Sequence, residues 1–238
     1  MLNRMSTLPI KVVIFDLDDT LYEEINYVYS GFKAVSSYLF QTFYIDETEA
    51  CEALKKTLHV NGRGEVFDAV LKTFHHYSKQ NVMRCLNVYR SHMPTISLLP
   101  EAHELLSELK RQDIPIYIVT DGNKIVQNRK IEALHVKPFI KKTFITHRYG
   151  KIHAKPSPYC FEKIATLEHA KTQEILYIAD NPHKDFVGIK PLGFQTIRIK
   201  QGMFKEMNPA SSYDAHHTIN HIRELKPLLE QMCHKDFR

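Results

Sequence analysis

Asp16 and Asp18 are the residues of this chain whose type and spacing most directly suggest chemistry. Side chains two apart on an extended segment point the same way, so both carboxylates face one site. They repel each other unless a cation lies between them or one holds a proton. A divalent cation meets that need, and a donor set made only of oxygens suits Mg²⁺. One carboxylate is then placed to attack an electrophile while its neighbour moves a proton. A solvated acidic turn would have the same sequence, so the choice depends on the groups the rest of the chain supplies.

Those groups depend on the elements that carry them. The run Ile10–Phe15 is apolar and rich in β-branched residues, which predicts a strand buried on both faces and ending at Asp16. Ile114–Val119 and Glu174–Ala179 are further runs of this kind, ending at Thr120 and Asp180. Phe144–Thr146 is a shorter strand candidate, and Gln195–Ile199 follows Gly193. Helical spacing marks 23–43, a segment opened by Asp46 and running to His59, one about Val66–Phe74 and one about Val82–Tyr89. Residues 22 to 93 therefore read as a helical block inserted between two strands. Further helices are expected over Pro100–Arg111, Asn123–Leu134 and the segment after Pro158, from Asn181 through Ile189, and over Ile219–Met232. Strands alternating with helices predict an α/β fold with a parallel sheet, whose ligand sites lie at the carboxyl ends of the strands. Three apolar strands ending in Asp16, Thr120 and Asp180 carry more weight than any one motif.

Together these groups suit phosphoryl transfer. Asp16 is placed as nucleophile, and Asp18 as the group that protonates a leaving oxygen and later activates water. The hydroxyl of Thr120 and the backbone N–H groups around Asp121 and Gly122 can hold phosphoryl oxygens, and Gly122 lets the chain approach without a Cβ. Lys155 supplies a cation. Asp180 and Asp185 complete an oxygen shell for Mg²⁺ with Asp16. Asp19 alternates with its neighbours and is expected in a turn, facing away.

The order DxDxT, a strand ending in Thr, a Lys, and Asp-x4-Asp resembles that of the haloacid dehalogenase-like hydrolases, over nearly the whole chain. The resemblance implies a Rossmann-like three-layer core from residues 1–21 and 94–238, with residues 22–93 as an α-helical cap. It implies Mg²⁺ held by Asp16, the carbonyl of Asp18, Asp180 and Asp185, the last directly or through water. It also implies Asp16 as nucleophile, Asp18 as acid/base, and Thr120, Asp121 and Lys155 at the phosphate. Asp121 stands where many relatives carry Asn, and Ala179 where Gly is common. Dehalogenases of the family lack the second Asp of the first motif, so Asp18 argues for a phosphatase. Nucleotide monophosphates, flavin mononucleotide and sugar phosphates are the candidate substrates. A phosphomutase of the same fold and a non-catalytic binder of a phosphorylated metabolite are the alternatives.

Composition is consistent with an ordinary globular protein. Net charge is +5, but the basic residues are scattered with no stripe for nucleic acid. The 4 Cys have no CxxC spacing and read as reduced thiols of a cytoplasmic protein. No segment is long and apolar enough for a membrane span, and Met1–Pro9 lacks the apolar run of a signal peptide. A monomer or homodimer is expected. Among the 14 His, His147, His153 and His183 lie near the motifs and are expected at the surface rather than on a metal. Tyr22 and Tyr27 fall among the aromatics of the helical block.

Overall fold

A computed structural model describes residues 8–233; residues 1–7 and 234–238, including most of the Met1–Pro9 segment, lie outside the described residues. The described chain divides into two compact units. One comprises 8–24, 97–127 and 134–233, and the other 25–96 with 128–133.

The first unit is built on a six-stranded sheet, parallel throughout, in the order β3-β2-β1-β4-β5-β6. The strands are β1 Val12–Phe15, β2 Ile116–Thr120, β3 Lys142–Ile145, β4 Ile175–Ala179, β5 Gln195–Ile199 and β6 His217–Ile219. Every residue of β1, β2 and β4 is buried. This is why these segments are continuously apolar instead of alternating: helices cover both faces of a parallel sheet. Val12, Ile14, Tyr117, Val119, Ile175 and Tyr177 pack on one face against Cys160, Phe161 and Ile164 of α7, Tyr159–Leu167. The alternate residues Val13, Phe15, Ile116, Ile118, Leu176 and Ile178 point to the opposite face. On that face α5, Pro100–Arg111, buries Ala102, Leu105, Leu106 and Leu109 and contacts β2.

The second unit is helical. It holds α1 Glu24–Phe43 (all but its first residue), α2 Glu47–Asn61, α3 Val66–Thr73, α4 Lys79–Ser91 and the second half of α6, Lys124–Ala133. Its core is aromatic: Phe32, Phe67 and Tyr89 meet at ring separations of 5.6 to 6.4 Å, and Tyr27 packs edge-on against Tyr89. Asp46 caps α2 through Thr48 N and Glu49 N, and Ser78 caps α4 through Asn81 N.

Four sequence expectations are corrected. The helix expected from Asn181 to Ile189 does not form; the segment is a run of turns ending in a short 3₁₀ turn, Lys190–Leu192. Asn-Pro is a helix-start signal, but here the Asp185 carboxylate folds back onto Asn181 N at 2.9 Å and holds the loop open. The C-terminal helix begins at Leu225 (α8, Leu225–Cys233), because 217–219 is drawn into the sheet as edge strand β6. β2 starts at Ile116, where its ladder with β1 opens at the Val13–Ile116 pair through Val13 N to the Pro115 carbonyl; Pro115 itself has no N–H to extend the ladder. β3 correspondingly spans Lys142–Ile145, and Thr146 leaves the strand for a 3₁₀ turn.

Candidate active site

Register places the chemistry. Phe15 is flanked by Ile118 of β2 and Ile178 of β4, and Asp16 N donates to Ile178 O at 2.9 Å. Asp16, Thr120 and Asp180 therefore leave three adjacent strands at one end of the sheet. Strand order reverses here, with β2 and β3 on one side of β1 and β4 to β6 on the other. Such a switch point opens a crevice beyond the carboxyl ends of the strands.

Lys155 enters this crevice from the loop before α7. Its Nζ lies 3.0 Å from Asp16 Oδ1, 2.7 Å from Asp185 Oδ1 and 2.9 Å from the Tyr177 hydroxyl, with 1% of the side chain exposed. An ammonium so buried is tolerated only when paired. Burial works to lower its pKa, but Asp16 and Asp185 outweigh burial and hold it charged, well above the usual lysine range. The Tyr177 hydroxyl donates on to Asp185 Oδ1 at 3.1 Å.

Asp16, Asp180 and Asp185 each offer a carboxylate oxygen, and these oxygens lie within 4.8 Å of one another. One ammonium does not balance three carboxylates. Burial first, then Asp16 and Asp185, push Asp180 up to about 9. Burial, only partly offset by Lys155, raises Asp16 to about 7. Asp16 Oδ1 faces Lys155 as an ion pair but has no aligned hydrogen bond. A buried donor set made only of oxygens and short of positive charge fits a hard divalent cation. Asp19 sits in the turn as expected, with φ +49 and Oδ1 accepting from Glu24 N at 2.8 Å. It is nonetheless buried, and its charge adds to the upward push on Asp180.

Lys155 owes its position partly to a glycine on the neighbouring loop. A Cβ at Gly188 would lie inside the van der Waals envelope of the Pro156 carbonyl oxygen. Backbone cannot swing aside as a side chain does. Gly188→Ala is therefore expected to cost at least the upper end of the roughly 1–3 kcal/mol typical of overpacking. Urea melts of the variant beside the wild type check this.

Asp18 turns to other partners. Its Oδ1 accepts from the Tyr22 hydroxyl, and its Oδ2 accepts from Gln127 Nε2 at 2.9 Å. The side chain is thus outside the carboxylate cluster, leaving only its carbonyl for the metal role implied by the resemblance. Gln127 Nε2 also donates to Thr120 Oγ1 at 2.6 Å. Asp121 is held by its own acceptor bonds. Oδ1 takes Thr146 Oγ1 at 2.7 Å and Lys155 N at 3.1 Å, and Oδ2 pairs with Lys184 at 3.1 Å. Burial opposes ionisation of Asp121, but Lys155 and Lys184 outweigh it and hold the carboxyl below the usual range. Any contact of Asp121 with an anion thus falls to its backbone N–H.

Some participants carry no sequence signal. Gln127 reads as an ordinary helical polar residue and Tyr177 as a core aromatic. Tyr22 belongs to the first unit, bonded to Asp18, not to the aromatic core of the helical block. None of His147, His153 and His183 joins the carboxylate cluster; His153 stacks on Tyr159 at 3.9 Å, and His183 lies edge-on to Phe204. Among the described residues, no helix is long and apolar enough to cross a membrane.

Comparison with known proteins bears on the family. The chain is 30% identical over 232 residues to a glyceraldehyde 3-phosphate phosphatase of Methanocaldococcus jannaschii, covering 94% of this chain and 98% of the relative. A glyceraldehyde 3-phosphate phosphatase of Pyrococcus furiosus is 27% identical, with coverage of 93% and 94%. Among solved structures, the HAD-hydrolase YfnB of Bacillus subtilis, bound to magnesium, superposes with a TM-score of 0.64 at 20% identity, over 93% of this chain and 99% of that one. A family profile described as haloacid dehalogenase-like hydrolase matches residues 10–193. With these matches and its parallel sheet ending in Asp16, Thr120 and Asp180, the chain belongs to the haloacid dehalogenase-like hydrolases.

Proposed function

We propose that this chain is a Mg²⁺-dependent phosphatase that hydrolyses a small sugar phosphate through a phosphorylated Asp16. One observation carries the reading: two carboxylates two residues apart sit in different surroundings. Asp16 lies buried among Asp180, Asp185 and Lys155, while Asp18 is held by neutral donors outside that cluster. Such a division separates the roles of nucleophile and acid/base.

In this reading Asp16 attacks phosphorus, and the bond to the leaving oxygen breaks as Asp18 gives that oxygen its proton. Asp18 then takes a proton from water as the water attacks the aspartyl-phosphate. Inorganic phosphate leaves and Asp16 is regenerated. Lys155 and the Thr120 hydroxyl hold the phosphoryl oxygens, together with the backbone N–H of Asp121. The carboxylates of Asp16, Asp180 and Asp185 and the carbonyl of Asp18 would hold Mg²⁺. When bound, the ion supplies the positive charge that lets a dianionic ester approach a carboxylate. The helical block between the first two motifs, as the cap, would set substrate choice. Two relatives named for a three-carbon sugar phosphate, matched over nearly their whole length, support that substrate class over nucleotide or flavin phosphates.

Phosphate release from glyceraldehyde 3-phosphate, hexose phosphates, AMP and flavin mononucleotide, with Mg²⁺ and with EDTA, tests this. Release that needs Mg²⁺ and is greatest for the sugar phosphates is expected. Isomerised sugar phosphate without free phosphate would indicate a mutase, and binding without turnover a non-catalytic protein.

A further inference from the structure

Gln127 is 2% exposed, an amide buried at the start of α6. Its Nε2 donates to Asp18 Oδ2 at 2.9 Å and to Thr120 Oγ1 at 2.6 Å. A carboxylate only accepts, so the amide must present its NH₂ group there, and both of its N–H bonds are used. On the other side of Asp18, the Tyr22 hydroxyl donates to Oδ1. Tyr22 is fully buried, so its hydroxyl is committed to this bond rather than to solvent. One donor on each oxygen fixes the plane of the Asp18 carboxylate. The bond to Thr120 matters as much. Because Thr120 Oγ1 accepts from Gln127, its own hydrogen is left to point elsewhere.

We propose that Gln127 is a positioning residue which, with Tyr22, fixes the Asp18 carboxylate and couples it to the phosphate-binding hydroxyl of Thr120. The proposal rests on the phosphatase reading above. Asp18 aims its proton at the leaving oxygen, Thr120 aims its hydrogen at a phosphoryl oxygen, and one amide sets the angle between them. Gln127 joins the end of β2, 7 residues before it, to the loop after β1, where Asp18 lies 109 residues away in the chain. A loss of aim of about 1 Å is expected to cost on the order of 10²-fold where proton transfer matters.

Leaving groups separate aiming from mere support. A sugar phosphate departs as an alkoxide and needs the proton from Asp18, whereas p-nitrophenyl phosphate departs as a stable phenolate and does not. Gln127→Met keeps the volume and removes the donors. With Mg²⁺ present, kcat/KM is expected to fall by roughly 30–100-fold for the sugar phosphate and by about tenfold less for p-nitrophenyl phosphate, whose smaller loss reflects Thr120 alone. Tyr22→Phe is expected to show the same split and serves if the Met variant does not fold. Equal losses on the two esters, or no loss, in variants of an active wild type overturn the assignment alone. A folded wild type inert to both esters overturns the phosphatase reading and the assignment with it.

Discussion

Asp16→Asn is expected to lower Mg²⁺-dependent phosphate release by a factor on the order of 10⁴ or more, about 5 kcal/mol of transition-state stabilisation. The amide keeps the shape of the carboxylate but offers no oxygen able to form the phosphoryl ester. The loss should come without loss of fold. Ionising Asp16 in the metal-free protein is unfavourable because burial outweighs the attraction of Lys155, which is why its folded pKa is raised to about 7. A group of this kind destabilises the folded state as pH rises from its unfolded value through the folded one. Removing it should therefore leave the metal-free variant at least as stable as the wild type at pH 8. Urea melts and phosphate release on the same preparation check both halves. Residual turnover above about 1% would exclude Asp16 as the nucleophile, and marked unfolding would mean that its carboxylate serves structure first.

Lys155→Met should have the opposite balance, costing stability as well as turnover. The ammonium lies between Asp16 and Asp185, 3.0 and 2.7 Å away, with almost no exposure. Removing one partner from a buried ion pair typically costs about 3–5 kcal/mol, because the remaining charge is stranded. The sign of the pH dependence follows. Without the lysine, Asp16 should take up a proton more readily still, so the deficit relative to wild type is smallest near pH 5 and grows as pH rises towards 9. A divalent cation should recover part of it at high pH by replacing the lost charge. Urea melts at pH 5 and pH 8.5, with Mg²⁺ and with EDTA, give the four values needed. A deficit that is flat with pH, or unchanged by the ion, would show that the stranded carboxylates are not its cause.

The central sheet was legible because strands buried on both faces must be apolar throughout; Val12–Phe15, Ile116–Thr120 and Ile175–Ala179 stand out for that reason. The short edge strand β6 was not. Its three residues make a ladder with β5 alone, with His217 and Thr218 not buried, so they leave no apolar run. The segment after Asp180 was misread because a local signal, Asn-Pro, competed with a tertiary one: Asp185 is bonded to Asn181 N, Tyr177 and Lys155. The residues brought together at the strand ends could be named from their order along the chain. The amide joining two of them could not, since a glutamine in a polar helix looks like any other until its distant partner is known.

The pairing of β1 also bears on how the chain is made. Val12 lies beside Ile175, about 160 residues later in the sequence. During synthesis the strand that ends at Asp16 leaves the ribosome early, yet its second neighbour, β4, is made only after β2 and β3. Until then one edge of a wholly apolar strand has no partner, and the oxygen cluster lacks both Asp180 and Asp185. Long-range parallel pairing of this kind folds slowly and leaves the nascent chain prone to association. The nucleophile is thus translated early but enclosed late, and a chain interrupted before residue 175 would carry Asp16 without the surroundings that give it its chemistry.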